Sequence, residues 1–275
     1  LGTTTSEACI INQKKRKKMM VDGAGNDIIS SVVGIDPKTK KLVVGERAAS
    51  GANGQTKYFI TEVKREMGKQ KKLTLGDQKL TPSEVSAEIL KYIKSYSEDM
   101  LGEKINKAVI SVPANFNNNQ RVATKEAGEL AGFTVERLIN EPTAAALAYC
   151  MDNTEKDFVK VMIYDLGGGT FDVSIGEFKG GLNVLDVLSS AGNMHLGGKD
   201  FDRLLSENIF EEFEKEYGID LRNEDDTNYR VTIAAETAKK ELSFSGNTTV
   251  NLPFLATKDG KPISYEKDIT REEFE

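Results

Sequence analysis

Three successive glycines lie between two acidic residues in the stretch Asp165-Leu166-Gly167-Gly168-Gly169-Thr170-Phe171-Asp172. Because glycine has no side chain, the backbone N–H groups of such a turn can approach a phosphate closely. Asp165 could hold a hydrated cation, and Thr170 adds a hydroxyl at the far end of the turn. Taken alone, the stretch is also compatible with a glycine-rich hairpin that only reverses the chain.

A second turn of the same chemical type, Gly2-Thr3-Thr4, lies at the start of the chain. The chain has no Gly-x-x-x-x-Gly-Lys-Ser/Thr loop, which excludes a P-loop enzyme. Two Gly/Thr turns, one in each half of the chain, predict a nucleotide-binding cleft between two lobes. Phosphoryl transfer in such a cleft would depend mainly on positioning and electrostatic stabilisation.

The composition narrows the class of protein. The chain has 275 residues, enough for two lobes with separate cores, and its net charge of −6 gives no electrostatic reason to expect nucleic acid. Two cysteines and one histidine are too few for a Cys/His zinc site or a disulfide scaffold, so we expect a cytoplasmic protein. No apolar run approaches transmembrane length and no signal peptide is visible, so no membrane partner is expected.

The segments around the two turns alternate between predicted strands and helices. Thr81-Pro82-Ser83-Glu84 combines an N-cap, a proline in the first turn and a capping box, and predicts a helix that Gly102 ends. The alternation predicts an α/β fold with helices on the faces of a sheet. We predict strands at 108–112, 135–139, 159–164, 171–178, 182–189 and near 249–252, and helices at 118–131, 200–217 and 228–242.

Six stretches of the chain resemble signatures of the DnaK-type heat-shock chaperones, in order and over essentially its whole length. The resemblance implies the actin-like ATPase fold, an α/β architecture of two lobes, each with a mixed β-sheet and flanking helices, around a nucleotide cleft. Lobe I would be residues 1–157, with an inner part of about 1–30 and 83–157 and an outer part of about 31–82. Lobe II would be residues 158–275, with an inner part of about 158–196 and an outer part of about 197–275. The six stretches are residues 1–4, 109–114, 120–125, 139–149, 165–172 and 195–202.

The resemblance assigns a phosphate- and metal-binding role to several of these residues. Thr3 and Thr4 match the first phosphate turn, and Gly167, Gly168, Gly169 and Thr170 match the second. Gly197 and Gly198 would bring backbone close to the phosphates from the other lobe. Asp165 and Asp172 match acids around a Mg²⁺ ion and its waters.

Four residues are implied to be catalytic by the resemblance: Lys64, Glu141, Thr170 and Asp172. Lys64 matches the lysine that reaches the γ-phosphate and helps orient the attacking water, although without the family it would be taken as a surface lysine. Glu141 matches the acid that senses the metal–water shell, and its plainer interpretation is a carboxylate favoured by a helix N-terminus.

Two further groups carry binding and relay roles in the family. Pro113 and Arg121 match residues that relay the nucleotide state, although they could equally be a strand terminator and a solvated helix residue. Glu236, Lys239 and Ser243 match the adenosine contacts. Their spacing of three and four places them on one helix face, as contact with a single ribose and base requires.

The resemblance implies a domain that binds ATP or ADP with Mg²⁺, hydrolyses ATP to ADP and phosphate, and assists protein folding through nucleotide-controlled peptide binding. The expected partners are unfolded or partly folded client peptides, a J-domain co-chaperone and a nucleotide-exchange factor. Both ends of the chain look cut, which suggests that part of the cleft and a C-terminal peptide-binding domain are absent. An actin-like scaffold, a nucleotide-binding pseudo-ATPase and a sugar kinase of the same fold remain alternatives.

Overall fold

The computed structural model describes residues 1–11, 17–36, 38–51, 56–152, 158–179 and 184–275. They form two compact units, one of residues 1–51 and 57–197 and the other of residues 198–275, and each is described by itself. The predicted lobe and subdomain boundaries stay predictions. In the described part of the chain, no helix is long and apolar enough to cross a membrane.

The first unit begins with short antiparallel strands and a short helix. Two single 3₁₀ turns, Thr56–Tyr58 and Val63–Glu66, connect them, and the second carries Lys64. The elements are β1 (Thr5–Glu7), β2 (Cys9–Ile11), β3 (Lys17–Met19), β4 (Ile28–Ser30), β5 (Val33–Ile35), β6 (Leu42–Val44), α1 (Glu46–Gly51), β7 (Phe59–Ile60), β8 (Leu73–Leu75) and β9 (Gln78–Leu80).

The helix predicted after Thr81 is confirmed as α2 (Pro82–Leu101). The Glu84 N–H donates to Thr81 Oγ1 at 3.2 Å, and the Thr81 N–H donates to Glu84 Oε2 at 2.7 Å. Gly102 ends the helix at φ +71°, a backbone conformation that favours glycine. One face of α2 enters the core of this unit, where Ile89 is fully buried.

A parallel strand pair follows α2 and brings two strand ends together. β10 (Lys107–Val112) and β11 (Thr134–Asn140) are joined by α3 (Asn118–Leu130), and α4 (Glu141–Asp152) continues directly from β11. Val112 pairs with Asn140, so the carboxyl ends of both strands lie side by side. Ligands of α/β proteins bind beyond such strand ends.

Three antiparallel strands complete the first unit: β12 (Phe158–Leu166), β13 (Phe171–Lys179) and β14 (Val184–Asn193). Asp165 pairs with Asp172 across the β12–β13 hairpin, and Asp172 pairs with Gly192 on β14. The first two residues of the strand predicted at 182–189 lie outside the described residues. The described strands of the whole chain pair as five two-stranded and two three-stranded sheets.

The second unit packs two helices on a long hairpin. α5 (Gly198–Tyr217) and α6 (Asp225–Leu242) are followed by β15 (Asn247–Lys258), β16 (Lys261–Thr270) and α7 (Arg271–Phe274). Strand β15 is longer than predicted, and its partner β16 was not predicted. The buried core of this unit includes Ile209, Phe213, Val231, Leu252 and Ile269.

Candidate functional site

The two Gly/Thr turns are in direct contact. A Cβ on Gly168 would lie 2.0 Å from Thr4 Oγ1, and a Cβ on Gly169 would lie 2.7 Å from Thr3 Oγ1. Only glycine fits at these positions of the second turn, because any side chain would displace the first turn. Thr4 Oγ1 is buried and has no hydrogen-bond partner among the described residues, so this hydroxyl is free to bind a ligand.

The second turn is closed locally and is also packed from another segment. The Gly167 N–H donates to the Thr170 carbonyl at 2.9 Å, which closes the loop between β12 and β13. A Cβ on Gly197 would lie 2.5 Å from Gly169 N and 2.7 Å from Gly167 O. Gly197 therefore lies against the backbone of the turn, where a side chain would not fit, and its predicted approach to the phosphates stays a prediction.

Lys64 and Glu141 form a buried ion pair beside the turns. Lys64 Nζ lies 2.6 Å from Glu141 Oε1, and Lys64 is only 5% exposed. Glu141 is the first residue of α4, where the helix dipole favours a negative charge. Lys64 is therefore not the surface lysine of the plainer interpretation, and its charge depends on Glu141 for compensation.

Asp165 and Asp172 are two further carboxylates near this pair. Burial raises the pKa of Asp165, and the negative charge of Glu141 raises it further, while Lys64 opposes both. Burial and the charges of Glu141 and Asp165 likewise raise the pKa of Asp172, which is 1% exposed. Three carboxylates facing one lysine leave an excess of negative charge, which a cation would neutralise.

The two turns and the charged residues beside them surround a cavity of about 380 Å³ in the first unit. It is lined by both turns and by Lys64, Glu141 and Asp165, together with Ser111 at the end of β10. No three Asp, Glu, His or Cys side chains in the described ranges are close enough to bind an ion directly.

Arg121 ties α3 to the ends of both parallel strands. Its guanidinium donates to the carbonyl of Phe116 at 3.0 Å, to the carbonyl of Ala114 at 3.1 Å and to Asn140 Oδ1 at 2.8 Å. Pro113 is buried directly after β10. These contacts exclude the interpretation of Arg121 as a solvated helix residue, and they connect it to the strand end next to Glu141.

The predicted adenosine contacts lie in the second unit. Lys239 Nζ donates to the Gly198 carbonyl at 2.9 Å, and Glu236 accepts from Lys199 at 2.7 Å and from Lys240 at 2.8 Å. Burial disfavours the charged form of Glu236, but the two lysines outweigh it and lower the pKa of Glu236 to about 2. Ser243 is exposed and follows the last residue of α6.

A family model described as Hsp70 protein matches residues 70–275, more than half of the chain. The chain belongs to the Hsp70 family. The curated "Chaperone protein DnaK" of Thermotoga petrophila is 46% identical to it over 276 residues, which cover 100% of this chain and 46% of that protein. The chain thus spans about half the length of the curated relative that it matches.

The Hsp70 family has the actin-like ATPase fold, so the predicted family and fold class are both confirmed. Within the first unit, the structure brings together Thr3, Thr4, Lys64, Glu141, Asp165, Asp172, the 167–170 turn and Gly197. Within the second unit, it brings together Gly198, Glu236 and Lys239. The roles assigned to these residues remain proposals.

Sequence reasoning missed two polar contacts in the first unit and one in the second. Asn115 Nδ2 donates to Asp172 Oδ1 at 2.9 Å, and Arg65 Nη2 donates to the Gly169 carbonyl at 3.1 Å. Lys199 pairs with Glu236, as described above. Asn115 lies three residues beyond the end of β10, but this position alone did not indicate that it contacts Asp172. Arg65 and Lys199 carried no signal either.

The close contacts of the glycine turn predict that one added methyl group at Gly168 will destabilise the fold. Gly168→Ala should lower the free energy of unfolding by about 1–3 kcal/mol, because the new Cβ collides with Thr4 Oγ1. Gly23→Ala is the matched control in the same unit, since a Cβ there meets no atom within 4 Å. Urea unfolding of both variants checks this, and equal stability of the two would contradict the described contact.

The raised pKa of Asp165 predicts that the ionised carboxylate lowers the stability of the fold, and that this loss depends on pH. A carboxyl whose pKa is higher in the folded state makes stability fall as pH rises from the unfolded value of 3.8 through the folded value. Without added metal, Asp165→Asn should therefore be more stable than the parent at pH 7, and the difference should shrink towards pH 4. Asp99→Asn, at an exposed position of α2, is the control. A stability difference between Asp165→Asn and the parent that does not change with pH would contradict the raised pKa of Asp165.

Proposed function

We propose that the chain is the ATP-binding and ATP-hydrolysing part of a molecular chaperone. The observation that carries the proposal is the contact between the two Gly/Thr turns at a cavity that also contains Lys64, Glu141 and Asp165. Membership of the Hsp70 family supports it. Neither the family match nor the geometry favours a scaffold, a pseudo-ATPase or a sugar kinase.

The phosphates of ATP bind to the two turns. Backbone N–H groups of residues 167–170, together with the hydroxyls of Thr3, Thr4 and Thr170, supply donors that need no reorganisation when the ligand arrives. The buried Thr4 Oγ1, which lacks a partner among the described residues, gains one on binding. Gly197 packs against the backbone of the second turn and supports its position.

Asp165 and Asp172 would hold Mg²⁺ through water, and the ion would supply positive charge to the phosphates. The carboxylates fit this group because they are opposite each other on β12 and β13 and carry uncompensated negative charge. Asn115 fixes one oxygen of Asp172 by its hydrogen bond. The chain itself therefore orients the acceptor atoms before any ion binds.

Lys64 and Glu141 act on the transferred phosphate. Lys64 Nζ places positive charge where negative charge develops on the γ-phosphate, and it orients the attacking water. Glu141 holds the Lys64 ammonium group at 2.6 Å, and its carboxylate would be an acceptor for the waters of a bound Mg²⁺. Thr170 and Asp172 complete the catalytic set. Pro113 and Arg121 relay the nucleotide state that Glu141 senses. Arg121 can do so because it contacts Asn140, the residue immediately before Glu141.

Glu236, Lys239 and Ser243 bind the adenosine, and Gly198 contributes backbone at the start of α5. In the longer protein, the nucleotide state controls the binding of unfolded or partly folded peptides. A J-domain co-chaperone and a nucleotide-exchange factor are the expected partners, and the cytoplasm is the expected compartment.

Calorimetric titration of this chain with ATP and Mg²⁺ tests the proposal. We expect micromolar binding that Glu236→Ala weakens at least about tenfold, or ~1.4 kcal/mol. Lys64→Ala should slow hydrolysis of bound ATP far more than it weakens binding, because Lys64 acts mainly on the transition state. Lys179→Ala, which removes an exposed pair with Asp186, is the matched control. A folded chain that does not bind ATP, or unchanged behaviour of both variants, would overturn the proposal.

A further inference from the structure

The second unit contains a fully buried carboxylate that the proposed function does not use. Asp202, in the first turns of α5, is 0% exposed. Its Oδ1 lies 2.5 Å from Lys239 Nζ, and its Oδ2 lies 3.6 Å from Lys199 Nζ. Apart from these two ammonium groups, no described residue donates a hydrogen bond to either oxygen, so the two lysines are what compensates the buried charge.

Both lysines that face Asp202 also contact the groups proposed to hold adenosine. Lys239 is itself one of these groups and donates to the Gly198 carbonyl. Lys199 donates to Glu236 Oε2 at 2.7 Å. Asp202 therefore lies at the centre of a charge network that joins the start of α5 to one face of α6.

Removal of the Asp202 charge would change where the lysine side chains lie. The two lysine side chains are 18–19% exposed, so each can reach water when its buried partner is lost. Without the Asp202 charge, Lys239 keeps only the Gly198 carbonyl and Lys199 keeps only Glu236 as a partner. A lysine side chain has four rotatable bonds and considerable rotamer entropy, so each ammonium group would spend more time in solvent. Glu236 would keep Lys199 as a partner, but Asp202 would no longer fix the position of Lys199.

We propose that Asp202 is a positioning residue for adenosine recognition, which fixes Lys239 directly and Glu236 through Lys199. Asp202 does not touch the nucleotide. The inference rests on the proposed function, because Lys239 and Glu236 are nucleotide contacts only under that proposal. The position of the Lys239 ammonium group, however, can be measured without any nucleotide.

The first test compares Asp202→Asn with Glu212→Gln in the full chain. Glu212 also pairs with a lysine, Lys267, and accepts from the Tyr265 hydroxyl, but it lies elsewhere in the same unit. The rate of Lys239 acetylation by acetic anhydride, followed by mass spectrometry, should rise several-fold in Asp202→Asn and not in Glu212→Gln. An unchanged rate in folded Asp202→Asn would overturn the inference whether or not the chain binds nucleotide.

The second test measures the affinity for ADP by calorimetry. Asp202→Asn should weaken binding about tenfold, and it should have little further effect when combined with Lys239→Met, as expected for residues of one network. If Asp202→Asn weakened ADP binding equally with and without Lys239→Met, Asp202 would not act through Lys239, and the inference would be overturned. If the parent chain does not bind ADP, the proposed function fails, and the acetylation result still decides whether Asp202 fixes Lys239.

Lys199→Gln covers the case in which Asp202→Asn does not fold. This variant changes a partly exposed side chain and breaks the connection between Asp202 and Glu236. It should weaken ADP binding about threefold, and the effect should disappear when Glu236 is also replaced by Gln. Full affinity of Lys199→Gln would overturn the indirect connection to Glu236.

Discussion

The ion pair between Lys64 and Glu141 is the interaction on which the site in the first unit depends. Lys64 is 5% exposed, and the carboxylate of Glu141, at the start of α4, lies 2.6 Å from its ammonium group and compensates the charge. The same lysine opposes the raised pKa values of Asp165 and Asp172. One ammonium group therefore offsets the charge of three neighbouring carboxylates only in part, and the remaining negative charge is the basis for proposing that a cation binds in the first unit.

Close backbone contact is the second constraint, and it explains why glycines occupy the turns. Gly168 and Gly169 lie against the hydroxyls of Thr4 and Thr3, and Gly197 lies against the backbone of the same turn. These contacts come from several segments of the chain and leave no room for a side chain on the second turn. In the second unit the corresponding contacts are ionic, since Asp202 pairs with Lys199 and Lys239.

Local features of the sequence were predictable, and contacts between distant segments were not. The Thr81 cap and the Gly102 end defined α2 because both signals act within one turn of helix. Strand β16 was missed although Ile263, Tyr265 and Ile269 alternate as a strand requires. Lys64 lies 77 residues before Glu141, and Asn115 lies 57 residues before Asp172, so no local pattern reveals either pair. The family resemblance identified the residues of the first pair, whereas Asn115 and Asp202 emerged only from the three-dimensional arrangement.

A double-mutant cycle on the free energy of unfolding tests the central claim most directly, with Lys64→Met, Glu141→Gln and the double variant. Each single change leaves a buried group without its partner and should cost about 3–5 kcal/mol. The double variant removes both groups, so its cost should be smaller than the sum of the single costs by about 1–3 kcal/mol. Additive costs, within about 0.5 kcal/mol, would contradict the account, because they would show that Lys64 does not depend on Glu141.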